Sequence, residues 1–230
     1  MKPETIIIGL LLMILCSGFV SLFLKAFYEK RFNNALLHKG ISSICFVILG
    51  GMNFFLSEFS LSRLLLFVGL FLGIIGDEIL ALCQIYPKKD SLYFIGGGSF
   101  FIVGHILYII AMILMKGPSW VAVAISFVIL MALCLVYESK KKFFIGDMRI
   151  SLILYISNVI FFASVGVGTF LRLGTLGSAL LAIGGILFAV SDNILFAFKF
   201  SEKPKYIQNI ILHVAYYLAQ LAIAWSIGLI

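Results

Sequence analysis

Charged residues are scarce in this chain. Asp, Glu, Lys and Arg make up 12% of its 230 residues, whereas a soluble domain is about a quarter charged. With 63% hydrophobic residues and a mean hydropathy of +1.17, that shortage excludes an ordinary water-soluble domain and points to a protein dissolved in lipid. Cysteine is sparse too. Cys16, Cys45, Cys83 and Cys134 stand singly in apolar stretches without CxxC spacing, and they read as small buried hydrophobes. The run Gly96-Gly97-Gly98-Ser99 lacks the Lys-Ser/Thr of a phosphate loop. It reads instead as a place where a neighbouring helix or a lipid headgroup approaches the backbone. No connection is long enough for a soluble domain.

What is abundant is apolar sequence in lengths that suit a bilayer, about 20 residues per crossing. Eight stretches qualify: Ile6–Leu24, Leu36–Leu56, Leu61–Cys83, Tyr93–Met115, Trp120–Tyr137, Ile150–Phe170, Thr175–Phe198 and Tyr206–Leu229. The expected fold is therefore all-α, a polytopic membrane protein of eight transmembrane helices forming a single domain over residues 1–230. The first stretch follows Lys2 but lacks a small-residue cleavage site, so it reads as a span and not a removed signal. Of the 17 Lys and Arg, 13 fall in the connections after spans one, three, five and seven, Lys39 among them. Only Lys2, Arg63, Lys116 and Arg172 fall on the other side. The positive-inside rule then makes the odd connections cytoplasmic and leaves both termini outside. The net charge of +7 follows from topology and favours anionic lipid headgroups. Nucleic acid is not an expected partner, because no basic cluster has a soluble fold around it.

Against this background two carboxylates stand out, in Gly76-Asp77-Glu78-Ile79-Leu80 and Ser191-Asp192-Asn193-Ile194-Leu195. An ionised side chain at the centre of a bilayer costs at least ~2.5–3.5 kcal/mol, so an intramembrane Asp marks a functional site by default. At ~1.5 Å of rise per residue, Asp77, Asp192, His213 and Asn158 reach similar depths in the cytoplasmic half of four different spans, and His105 lies deeper. This layer predicts a water-accessible pocket toward the cytoplasmic leaflet. Asp77 is followed by His105-Ile106-Leu107-Tyr108, and Asp192 by His213-Val214-Ala215-Tyr216. The echo predicts a parallel 4+4 internal repeat, residues 1–116 and 117–230, with a pseudo-twofold axis along the membrane normal. His and Tyr at i and i+3 share a helix face, so each half offers a carboxylate, an imidazole and a phenol to one cavity. Glu78 lies about 100° around the helix from Asp77 and reads as facing a neighbouring helix or the cytoplasm. Asn158 and Asn193 read equally as interhelical glue or ligand contacts. His38 reads as a solvated surface residue, and Glu58 and Arg172 as interfacial.

Gly76-Asp77, the Phe100-Phe101-x-x-Gly104-His105-Ile106-Leu107-Tyr108 stretch, Ser191-Asp192 and Tyr216-Tyr217-Leu218-Ala219-Gln220 resemble the signature positions of the YhhN family of lysoplasmalogenases. The resemblance covers most of the chain, with eight spans in a matching order. It implies a cell-membrane hydrolase that cleaves the vinyl-ether bond of a lysoplasmalogen to a fatty aldehyde and a glycerophospho-base. A lysophospholipid substrate and surrounding membrane lipids would be its partners, with no cofactor and no metal.

The residues make chemical sense of that implication. A vinyl ether is stable to base and opens by protonation at its β-carbon, which generates an oxocarbenium ion. One carboxylic acid must hold a proton near neutral pH while a second, ionised carboxylate steadies the cation and activates water, as in paired-carboxylate glycosidases. Asp77 and Asp192 are the expected catalytic pair, with their roles unassigned. His105 and His213 are expected to relay protons or bind phosphate, and Tyr108, Tyr216, Gln220 and Asn158 to contact the substrate. Two other classes compete. A zinc-dependent lipid hydrolase needs three or more ligands, and Asp77, Asp192, His105 and His213 could nominally supply them, although no HxxxH or HxxH cluster exists. A proton-coupled transporter also uses buried Asp and His, but it would have to open to both sides of the membrane.

Overall fold

A computed structural model describes residues 3–139, 149–202 and 204–230. Lys2, Lys140, Lys141, Lys142 and Lys203 lie outside them, as does the Arg149 side chain. Eight α-helices follow the apolar runs: α1 (Pro3–Tyr28), α2 (Phe32–Phe55), α3 (Leu61–Ile85), α4 (Asp90–Leu114), α5 (Trp120–Ser139), α6 (Arg149–Leu173), α7 (Leu176–Phe200) and α8 (Tyr206–Ser226). Each is long and apolar enough to cross a membrane, and among the described residues no strand forms. The architecture is that of a multi-pass membrane protein.

Local chemistry sets the helix ends. Ser60 precedes α3 and its hydroxyl accepts from the Arg63 N–H at 3.2 Å, satisfying one of the donors that a helix start leaves free. Between α6 and α7 the chain turns in two residues. Gly174 takes φ +64° and donates its N–H to the Phe170 carbonyl at 2.8 Å, a left-handed cap that suits glycine. Thr175 and Ser178 then exchange side-chain and backbone bonds to open α7. The helices extend beyond the apolar runs because polar residues such as Asn33 and Asn34 continue the helix of α2. Lys39, counted with the connection charges although it falls within the second apolar stretch, lies inside α2 and is 6% exposed.

Helix neighbours define the arrangement. α2, α3, α4, α6, α7 and α8 form a closed ring in that order. α1 packs outside it against α2 and α8, and α5 packs outside it against α6. Only Val123 and Cys134 of α5 are buried, so most of that helix faces outward. α3 and α4 approach most closely through glycine: a Cβ at Gly97 would stand 2.9 Å from the Gly76 carbonyl oxygen. The Gly96-Gly97-Gly98 run thus serves a helix contact, and it fixes the backbone one residue before Asp77.

The interior of the ring is aromatic and aliphatic, with Phe46, Leu66, Leu70, Tyr108, Phe162 and Phe188 fully buried. The end of the ring at which α1, α3, α5 and α7 finish and α2, α4, α6 and α8 start is here termed the basic end. The candidate site lies in that half.

Candidate active site

Asp77 is 2% exposed and enclosed by donors from two other helices. Its Oδ2 accepts from the Ser43 hydroxyl of α2 and the Tyr216 hydroxyl of α8, both at 2.6 Å. Lys39 Nζ stands 3.1 Å from Oδ1 and donates at 3.1 Å to the Asp77 carbonyl. Lys39 and Ser43 are i and i+4 on α2, so one helix face delivers both. Two bonds reinforce the cage: the Tyr217 hydroxyl donates to the Lys39 carbonyl at 3.2 Å, and it lies 3.3 Å from Ser43 Oγ. A relay runs onward from Tyr216, whose oxygen accepts from Gln220 Nε2 at 3.0 Å. Gln220 Oε1 in turn accepts from the Tyr108 hydroxyl at 3.3 Å. Gly73, one turn before Asp77, leaves the room this relay needs: a Cβ there would stand 2.7 Å from Gln220 Nε2.

Asp192 is equally buried and differently held. Its Oδ2 accepts from the Tyr155 hydroxyl of α6 at 2.8 Å, and no cation pairs with it among the described residues. The adjacent Ser191 ties α7 to α8 by donating to the Leu212 carbonyl at 2.9 Å. The two carboxylates share no hydrogen-bond donor.

The histidines depart from the expected symmetry. His105 lies 28 residues after Asp77 and His213 21 after Asp192, two helical turns of difference at ~3.6 residues each. His105 is therefore deep, its Nδ1 3.0 Å from Asn158 Oδ1. Its ring stacks on Phe162 at 5.2 Å and meets Phe188 edge-on at 4.5 Å. Its Nε2 is buried without a partner. His213 lies nearer the basic end, with Nδ1 2.8 Å from the carbonyl of Asn209 and its ring 4.6 Å from Phe23. Neither imidazole hydrogen-bonds a carboxylate. The phenols also cross between halves, since Tyr216 of the second half serves Asp77 of the first.

Two clefts reach side chains that hold the carboxylates, Lys39 in one and Tyr155 in the other, although neither Asp77 nor Asp192 lines either cleft. One, of about 710 Å³ including its open mouth, enters the ring from the basic end and is lined by Lys39, Lys199, Asn209, His213 and several phenylalanines. The other, of about 730 Å³, opens sideways between α4 and α6 and is lined by Ile95, Ile102, Leu152, Leu154, Phe196 and Tyr155. Leu80, Phe94 and Leu195 line both. Leu80 and Leu195 are the last residues of the two echoed phrases, each three positions after its Asp, so the same motif places both the carboxylate and the partition.

Lys39, Ser43, Tyr155 and Tyr217 were not expected at the site. The available signal was a lysine four residues before a serine inside an apolar run; the two tyrosines look like any other aromatic in a span. His38 is half-buried with its ring 6.0 Å from Phe19 and its Nδ1 enclosed without a partner, not solvated, because α1 packs against this part of α2. Glu78 lies against α2 at Gly40. Asn193 Oδ1 accepts from the Cys134 thiol at 2.6 Å and links α5 to α7. Among the described residues no three His, Cys, Asp or Glu side chains converge as a metal site.

A ring of membrane-length helices holding two unlike buried carboxylates defines the class of protein. The YhhN family profile matches residues 34–227, and the chain belongs to the YhhN family. No curated protein and no solved structure matches it.

Proposed function

We propose that this protein is a lysoplasmalogenase-like hydrolase that cleaves the vinyl-ether bond of a single-chain lipid. The observation that carries the reading is the unequal bonding of the two carboxylates. Asp77 has a lysine and two hydroxyl donors around it, the surroundings of an ionised base. Asp192 has one phenol, borders the apolar groove through Tyr155, and suits the acid. Asp192 transfers its proton to the β-carbon of the alkenyl chain, and the adjacent carbon–oxygen unit becomes an oxocarbenium ion. Asp77 takes a proton from water as the water oxygen bonds the cationic carbon. The hemiacetal then breaks its bond to the glycerol oxygen, giving an aldehyde and a free hydroxyl. Family membership supports a hydrolase, and the two clefts supply room for a polar head and an apolar chain.

The same reading places the basic end in the cytoplasm, on the positive-inside rule, and both termini outside. It also treats the fold as two parallel four-helix repeats: α1–α2–α3–α4 neighbours are matched by α5–α6–α7–α8, and α4–α6 by α2–α8. The test is aldehyde release from a lysoplasmalogen by the purified protein in detergent, beside Asp77→Asn and Asp192→Asn. Turnover is expected in the wild type and a loss of at least about 100-fold in each variant, the lower range for a positioned acid or base. Full activity in both variants would end the paired-carboxylate mechanism, and an inactive but folded wild type would end the hydrolase reading.

A further inference from the structure

The cleft at the basic end is rich in unused hydrogen-bond donors. Lys39 has three N–H groups and spends two on Asp77. Lys199 spends one on Asp90 and sits 5.4 Å over the Phe94 ring, leaving two. Asn209 is 1% exposed, and its Nδ2 is buried with no acceptor, although the Tyr28 hydroxyl is near. His213 commits its Nδ1–H to a carbonyl, so Nε2 of the neutral ring is an acceptor and is not one of these donors. The lining contains two ammonium groups and no carboxylate; Asp77 and Asp90 stand behind the lysines. A buried amide donor without an acceptor leaves its desolvation uncompensated, and an anion entering the cleft would supply the missing acceptor.

We infer that this cleft binds a phosphate ester, with Lys199 and Asn209 as its principal ligands and Lys39 linking the bound anion to Asp77. The inference deepens the lysolipid reading and rests on it for the source of the phosphate, a lipid headgroup. The partition formed by Leu80, Phe94 and Leu195 then sets the register: phosphate on the polar side, alkyl chain in the sideways groove, and the glycerol linkage between them near the carboxylates.

The test compares two ligands that cannot be hydrolysed, a saturated-ether lysophosphatidylethanolamine and the matching monoalkylglycerol, by calorimetric titration of the protein in detergent. The wild type is expected to bind the phospholipid at least about 10-fold more tightly, the worth of one charge-assisted hydrogen bond. Lys199→Met and Asn209→Leu should each remove most of that preference while leaving alkylglycerol binding intact, which also shows that they fold. Lys199→Arg should retain it. Equal binding of both lipids by the wild type, or an undiminished preference in both the Met and Leu variants, would overturn the subsite. Inorganic phosphate is the third arm. Competition only at millimolar levels fits a headgroup subsite, whereas binding as tight as the phospholipid's would make free phosphate the ligand and overturn the headgroup assignment. Because neither lipid is a substrate, the two readings separate: selective binding here, together with no aldehyde release from a lysoplasmalogen, would sink the hydrolase reading and leave the subsite standing.

Discussion

At the scale of single residues, the site depends most on Lys39. A buried ion pair is weak evidence for stability as a pair, but removing one partner strands the other charge at a cost of about 3–5 kcal/mol. Lys39→Met is therefore expected to lower the melting temperature of the detergent-solubilised protein sharply. Adding Asp77→Asn should restore part of the loss, since the double variant leaves no buried charge unpaired. A double variant no more stable than Lys39→Met would show that the lysine acts by packing alone. Both carboxylates were legible in the sequence because an Asp in an apolar run has few bland explanations. Their partners were legible only in part: Tyr216 was expected in the cavity but not on Asp77, and Tyr155 was not expected at all, because both reach a carboxylate across the ring and nothing local in a run of hydrophobic letters encodes which helices become neighbours. Lys39 was legible in principle, since it falls inside the second apolar stretch, but it was counted with the connection charges because it stands only three residues from that stretch's start. The echoed His-x-x-Tyr phrases misled in a related way, since two turns of difference in spacing carry His105 into the aromatic core and leave His213 in the cleft.

At the scale of elements, the helices follow the apolar runs closely, because length and hydrophobicity are what a bilayer selects. Which faces meet is set by small residues, and the α3–α4 crossing is the sharpest case. Gly97→Ala would bring a Cβ to 2.7 Å from Leu80 Cγ and 2.9 Å from the Gly76 carbonyl oxygen. The backbone cannot yield there without moving Asp77, so a loss of about 1–3 kcal/mol is expected, the usual cost of overpacking, together with reduced turnover. Gly18→Ala is the contrasting substitution: no atom lies within 4 Å of its added Cβ, and helix propensity predicts a gain of about 0.5–1 kcal/mol. Thermal melts of the two variants side by side check both signs. Equal effects would mean that the α3–α4 contact does not limit stability.

At the scale of the whole molecule, an even number of membrane-length helices puts the two termini on one side, and the proposed orientation makes it the outer side. Impermeant labelling of single cysteines added at either terminus in intact cells should mark both; labelling of neither would invert the topology. The native cysteines are all buried, so their background should be low. In the proposed orientation the ring also has two mouths that face different media, the basic-end cleft water and the α4–α6 groove lipid. Under the proposed reaction this geometry sorts the products at the moment of cleavage. The glycerophospho-base departs into the aqueous phase, while the aldehyde, a reactive electrophile, slips sideways into the bilayer away from Lys199, an amine with which it would otherwise condense to a Schiff base with loss of water.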